Sequence, residues 1–351
     1  MSFPLVRRAR RAIAGVVVTT GAVALLAAPA SAATRWAPID QAGPKLRAKA
    51  ALTCGPGVAR ATRTPVLLVP GTGVTAKQSY SWNWQRSLTA AGIPWCSVTP
   101  PTATLADIQR TGELVADAIR RVQRTAKRRI AILGHSQGGL SPRWALRFFP
   151  DTRSKVSDVI AIAAPQHGTT LVPTSECRAK GCAPAIWQQA RGSRFLDAVN
   201  SRAETFRGIS YTNIWSTTDA VVLPASGARP TSALRTGRGR ITNVAVQQVC
   251  PAEKADHLSA GLVSATAYAL AIDALDRDGP ANPGAVARSV CSQTYQPGVD
   301  LRSPETYSQL LSATDAADTA TTPGVNKVPG LSLVQREPAL RSYVTAKRKR
   351  R

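Results

Sequence analysis

Gly134-His135-Ser136-Gln137-Gly138-Gly139 is the stretch on which the reading of this chain turns. A short apolar run, Ile130-Ala131-Ile132-Leu133, precedes it, and a helical pattern from Leu140 to Phe149 follows. A serine between glycines, where a buried strand passes into a helix, predicts a nucleophile elbow. Such a turn holds the serine in a strained backbone conformation. Side chains at the flanking positions would collide with the neighbouring strand and helix, and glycine at 134, 138 and 139 removes those collisions.

Outward from the elbow, Pro65-Val66-Leu67-Leu68-Val69-Pro70 reads as a short buried strand that runs straight into Gly71-Thr72-Gly73. Leu105, Ile108, Val115, Ile119 and Val122, with Gly112 filling the gap, lie on one face of an amphipathic helix. Val159 to Ala164, closed by Pro165, reads as another buried strand; Asn213 to Ser216 and Ile241 to Val249 read as two more. Leu258 to Leu275 reads as one Ala-rich helix, residues 33–63 read as an irregular lead-in, and the chain shows no internal repeat. Strands alternating with helices predict a mostly parallel central sheet with helices on both faces. With the elbow, this is an α/β-hydrolase fold, expected as one catalytic domain over residues 33–340.

The two ends differ from the middle. Arg7, Arg8, Arg10 and Arg11, the apolar run Ala12 to Ala27 and Ala30-Ser31-Ala32 read as a signal peptide over residues 1–32, cleaved before Ala33. The apolar run is short for a membrane anchor. The chain is therefore expected to be secreted and extracellular. Residues 341–351, ending in Lys347-Arg348-Lys349-Arg350-Arg351, read as a basic, disordered tail. All 6 cysteines follow the signal segment, and an even count in an exported chain favours disulfides, with the pairing left open by spacing alone. There is no paired CxxC and there are only 3 histidines, so no metal site is expected, and no cofactor is expected either. The formal net charge is +25. Nucleic-acid binding would suit that sign, but the charge is spread along the chain and no nucleic-acid module is present, so no such partner is expected. A cationic surface that adheres to anionic envelopes or lipid–water interfaces is the better reading.

A serine hydroxyl needs a general base and an acid that orients it. His135 adjoins the serine and points away from the base position. His167 follows the strand ending at Ala164, where it lines the rim of the site. His257 comes late and immediately precedes a helix, which suits the order serine, acid, histidine. Asp219 lies just past the carboxyl end of the strand Asn213 to Ser216, where such sheets place functional groups, and is taken as the acid. Asp158 precedes its strand, Asp197 falls in a helical pattern, and Asp256 adjoins the histidine itself. The backbone N–H groups of Gln137 and of Thr72, in the loop after the first strong strand, are the expected oxyanion donors, and the Thr72 hydroxyl a third.

Several ordered motifs resemble the Candida antarctica lipase B-like family of secreted α/β-hydrolase lipases. They are Leu68-Val69-Pro70-Gly71-Thr72-Gly73, Ser136-Gln137-Gly138-Gly139-Leu140, Phe148-Phe149-Pro150 with Arg153-Ser154-Lys155-Val156, Trp187-Gln188-Gln189, Thr212-Asn213 through Thr218-Asp219, and Asp256-His257. The likeness runs from about Cys54 to Cys291, with a fainter echo at Glu337-Pro338. It implies Ser136, Asp219 and His257 as a triad and Thr72 with Gln137 as an oxyanion hole, the same residues chosen from the chemistry. It also implies disulfides Cys54–Cys96 and Cys250–Cys291, leaving Cys177 and Cys182 to each other in a small lid-like segment at the pocket mouth. A further family disulfide is missing, since Arg336 occupies its first cysteine position. The lipase for which the family is named carries a tryptophan before the nucleophile, where this chain has His135. The resemblance places the counterpart of the family's apolar entrance helix around Glu305 to Ala320, where it is interrupted by Asp315 and Asp318. His135, His167 and Val221 are the candidate substrate-pocket residues.

The expectation is a monomeric serine ester hydrolase, a lipase or carboxylesterase working through an acyl-enzyme on ester or lipid substrates at a lipid–water interface. Shorter or more polar esters are favoured. An alternative within enzymes is a polyester or envelope-lipid esterase. A non-catalytic cationic envelope-binding protein is the reading from a different class, and the complete triad argues against it.

Overall fold

Strands β1 (Ala51–Cys54), β2 (Val66–Val69), β3 (Trp95–Thr99), β4 (Ile130–His135), β5 (Val156–Ile162), β6 (Ser210–Trp215) and β7 (Arg240–Ala245) make one sheet. Their order is β1-β3-β2-β4-β5-β6-β7. All neighbours are parallel except β1, which runs antiparallel to β3 at the edge. This computed structural model describes residues 51–345; the expected signal peptide and the chain end from 346 lie outside the described residues. The helices that frame the site are α1 (Ile108–Ala126), α2 (Gln137–Phe148), α3 (Thr174–Lys180), α4 (His257–Leu262), α5 (Ala265–Asp276) and α6 (Pro304–Thr321).

The apolar strands are buried on both faces, as a parallel sheet covered by helices requires. Successive side chains point to opposite faces, so Leu67, Val69, Ile130 and Ile132 join one core with α1 and α2. Val66, Leu68, Ala131 and Leu133 join the other, with α5 and the indoles of Trp82 and Trp84. Helix α1 begins where the Asp107 carboxylate accepts the Gln109 N–H at 2.9 Å. On α2 the Trp144 ring stacks on Phe195 with centroids 4.8 Å apart, which fixes the elbow helix against its neighbours.

Disulfides join Cys54 to Cys96, Cys177 to Cys182 and Cys250 to Cys291. The first links two residues directly opposite in the β1–β3 ladder.

Several elements differ from expectation. The lead-in hides β1, whose mostly exposed residues carry no apolar alternation and whose existence depends on pairing with β3. The strand foreseen to Val249 ends at Ala245 and turns into a short helix, Val246–Val249. The single helix foreseen from Leu258 to Leu275 is broken between α4 and α5. There the Ser264 hydroxyl caps α5 by accepting the Ala267 N–H, while Gln296 donates to the carbonyls of Leu262 and Val263. The tail foreseen from 341 is also too long by five residues. Ser342–Thr345 forms a helical turn with Tyr343 buried. The Tyr343 hydroxyl donates to Glu113 Oε1 at 3.1 Å and accepts from Trp144 Nε1 at 2.9 Å. Arg341 adds its N–H to Gln109 Oε1 and its Nε to Glu113 Oε1. A buried tyrosine with both hydrogen-bonding roles met belongs to the domain.

Candidate active site

Ser136 sits between β4 and α2 with φ 55° and ψ −129°, the strained conformation the turn demands. The glycines around it are required by contact: a Cβ on Gly138 would lie 1.9 Å from the Val69 carbonyl oxygen, and one on Gly134 2.0 Å from that of Gly138. The Ser136 N–H donates to the Ile162 carbonyl at 2.8 Å, which anchors the turn to β5. Ser136 lines a cavity of about 250 Å³ together with Gly71, Thr72, His135, Gln189, Val221 and His257. Leu171, Val172, Ile186, Leu258 and Leu262 make its walls largely apolar, and Ala313, Ala317, Asp318 and Thr321 of α6 close one side.

Asp219 follows β6 and is buried; its Oδ2 lies 2.8 Å from His257 Nδ1. Its Oδ1 accepts the N–H groups of Val221 at 2.7 Å and Val222 at 2.9 Å. Burial alone would raise the Asp219 carboxyl, but the His257 bond and these two N–H groups outweigh it and hold it below the usual carboxylate range. Asp219 is thus kept ionised beside the imidazole. Because a carboxylate only accepts, His257 Nδ1 carries the proton and Nε2 is left free to act as a base. Among the described residues no hydrogen bond joins the Ser136 hydroxyl to His257.

The oxyanion candidates meet next to Ser136. Among the described residues neither the Thr72 nor the Gln137 backbone N–H is given to a protein acceptor. The Thr72 hydroxyl differs from expectation, since it donates to Gln137 Oε1 at 2.9 Å and accepts from Gln189 Nε2 at 3.0 Å. Gln137 Nε2 in turn donates to the Thr104 carbonyl at 3.0 Å. The hydroxyl must therefore turn away from Gln137 before it can serve an oxyanion. Gln189 belongs to the Trp187-Gln188-Gln189 motif, but the sequence assigns it no role, and Thr104 carries no sequence signal at all.

Of the pocket candidates, Val221 lines the cavity and is 38 % exposed, and His135 lies at its floor. His167 does not line it. Its ring is turned outward into a charged cluster, with Nε2 2.5 Å from Glu204 Oε1 and Nδ1 3.1 Å from the Thr231 carbonyl. The Arg235 guanidinium lies 2.9 Å from the ring. Glu204 is buried, and its second oxygen accepts the N–H groups of Arg235 and Thr236. Glycine at 168, with φ 79°, turns the chain immediately after His167 and a position after a strand could not reveal that. No group of three or more His, Cys, Asp or Glu is placed to hold a metal ion among the described residues.

Residues 72–258 match the family described as Lipase (class 2). The chain is 35% identical over 234 residues to Lipase B of Pseudozyma antarctica, an alignment that spans 66% of this chain and 67% of that one. The crystal structure of Aspergillus fumigatus lipase B superimposes with a TM-score of 0.78 at 30% identity, covering 89% of this chain and 74% of that one.

Proposed function

Because the chain belongs to the class 2 lipase family and is a carboxylic ester hydrolase, we propose that Ser136, His257 and Asp219 carry out its acyl transfer. The Ser136 hydroxyl attacks the ester carbonyl, and His257 Nε2 takes its proton. Asp219 orients the ring and stabilises the imidazolium that forms. The N–H groups of Thr72 and Gln137 receive the charge that develops on the carbonyl oxygen. When the tetrahedral intermediate collapses, His257 returns the proton to the departing alcohol. Water, deprotonated by the same histidine, then releases the acid from Ser136.

The observation that carries this reading is the convergence in one cavity of a strained serine, an imidazole with Nδ1 engaged by a buried carboxylate, and two backbone N–H groups with no protein acceptor among the described residues. The preferred substrates are acylglycerols and similar esters with short acyl chains, which suit a cavity of about 250 Å³. The protein is exported and acts as a monomer at lipid–water interfaces. Leu171 and Val221 are exposed at the cavity mouth, and the exposed Arg191 and Arg229 both lie within electrostatic range of the exposed Arg235. That pairing of apolar rim and positive charge favours adsorption to anionic interfaces and sustains a second reading, hydrolysis of polyesters or envelope lipids.

Hydrolysis of tributyrin by Ser136→Ala, His257→Ala and Asp219→Asn tests the proposal. Each should lose about 10³-fold or more in kcat with folding preserved; wild-type turnover in the serine variant would defeat it. Activity confined to a polyester film, with none on tributyrin, would favour the second reading.

A further inference from the structure

His135 is buried, and no step of the proposed reaction uses it. Its ring nevertheless makes a definite set of contacts. Nε2 lies 2.9 Å from the backbone carbonyl oxygen of His257. A carbonyl only accepts, so Nε2 is the protonated nitrogen and donates. The two imidazoles face each other with centroids 4.7 Å apart and planes inclined by 44°. The other side of the contact is built for this ring. Gly261, one turn beyond His257 on α4, is where a Cβ would come within 2.0 Å of His135 Cδ2. The Gly261 carbonyl accepts the Trp84 indole N–H at 2.8 Å, which holds that turn of α4 in place. The His135 backbone is fixed as well: its N–H donates at 3.1 Å to the Tyr80 hydroxyl, which itself donates at 2.7 Å to the Val69 carbonyl.

From these contacts we infer that His135 is a positioning residue for His257: its Nε2–H bond to the His257 carbonyl and its ring surface set where the base stands relative to Ser136. This rests on His257 being the base of the proposed reaction. Asp219 grips the His257 ring through Nδ1 and fixes its rotation. It does not fix the backbone from which the ring hangs. That backbone is the first residue of α4, a helix of 6 residues, reached from β7 through the short helix Val246–Val249 and a loop. His135 adjoins Ser136 in the chain, so its bond ties the base's backbone directly to the nucleophile's. The two reacting groups are then placed by one short span of structure rather than by two loops meeting independently.

A histidine suits this place for a second reason. Burial, with His257 close by, pushes the His135 imidazole down to about 3. It stays neutral through the range in which a general base works, so the imidazolium formed on His257 during turnover does not face a second positive charge. The titratable groups around it are His257 and Asp219, with Tyr80 on the far side held protonated by burial.

The test is steady-state kinetics of His135→Ala, His135→Gln and Gly261→Ala on p-nitrophenyl butyrate, with melting temperature recorded for each. His135→Ala should lower kcat by about 10- to 100-fold and leave KM within about twofold, since displacing a reacting group by ~1 Å costs that much. His135→Gln, whose amide N–H can reach the carbonyl, should recover most of the loss. Gly261→Ala should reproduce the kcat defect from the opposite side, and it stands in if His135→Ala does not fold. Unchanged kcat in folded His135→Ala would overturn the inference. So would a change in KM and in preference among alcohol groups with kcat preserved, because that marks a pocket wall only. Loss of activity in Ser136→Ala and His257→Ala, measured alongside, separates failure of this inference from failure of the triad itself.

Discussion

Replacing Glu204 with glutamine tests whether the charged cluster beyond the cavity is held together by charge. The Glu204 carboxylate accepts from His167 at 2.5 Å on one oxygen and from the N–H groups of Arg235 and Thr236 on the other, with the Arg143 charge behind it. Burial pushes this carboxyl up, but those partners overcome it and bring it from 4.5 down to about 2. At about 1.4 kcal/mol per pKa unit, that shift corresponds to roughly 3 kcal/mol of folding free energy. The half-exposed outer side of the cluster, Arg235 and His167, lowers the realistic figure to about 2 kcal/mol. The sign follows from linkage. The folded carboxyl titrates below its unfolded counterpart, so its contribution is complete above about pH 4.5 and is lost as pH falls towards about 2. Denaturant titrations of wild type and Glu204→Gln at pH 7, and at steps below about pH 4.5, measure it. The stability difference should be largest at pH 7 and shrink by about 2 kcal/mol on acidification. A difference that does not change with pH would mean that glutamine fails through packing alone, and the electrostatic account would be wrong.

Tyr343→Phe should cost about 1–3 kcal/mol in denaturant or thermal unfolding, because it leaves the buried Trp144 N–H and Glu113 Oε1 without their shared partner; no loss would return the chain end to the status of a tail. Burial raises the Asp158 carboxyl from 3.8 to about 6 despite Arg129 and Arg240 nearby, so the protein loses stability as pH rises across that interval. That shift corresponds to roughly 3 kcal/mol, lowered to about 1–2 kcal/mol by screening at a partly exposed carboxyl, so Asp158→Asn is expected to be more stable than wild type by that amount at pH 8 and to match it near pH 3.5; equal melting curves at both would refute this. Sedimentation with vesicles of phosphatidylcholine, with and without about 30 % phosphatidylglycerol, should show binding only to the anionic ones, released by about 1 M salt. Binding indifferent to salt and lipid charge would leave the positive charge without that role.

The parts legible in the sequence are those whose cause is local. Alternate burial of the β2 and β4 side chains in two cores explains why both segments read as uninterrupted apolar runs. The elbow glycines are dictated by contacts between segments adjacent in the fold, and their spacing is visible in a hexapeptide. Chain order and strand ends point to Asp219 and His257, and the structure brings them to 2.8 Å. What was not legible depends on distant partners. The β1 strand exists because β3 pairs with it, and Tyr343 is buried because Trp144 and Glu113 wait for its hydroxyl. His167 followed a strand like a site residue, but Glu204 and Arg235, 37 and 68 positions further on, decide where its ring points. The break between α4 and α5 is marked within Leu258 to Leu275 only by the capping Ser264, and Gln296, well outside that stretch, takes up the carbonyls it frees.

Reaction with a fluorophosphonate, followed by proteolysis and mass mapping, tests the central claim most directly. A phosphonate on Ser136 alone, at one per chain and with esterase activity lost in step, is the predicted result. An adduct on another residue, or full esterase activity in Ser136→Ala, would contradict it.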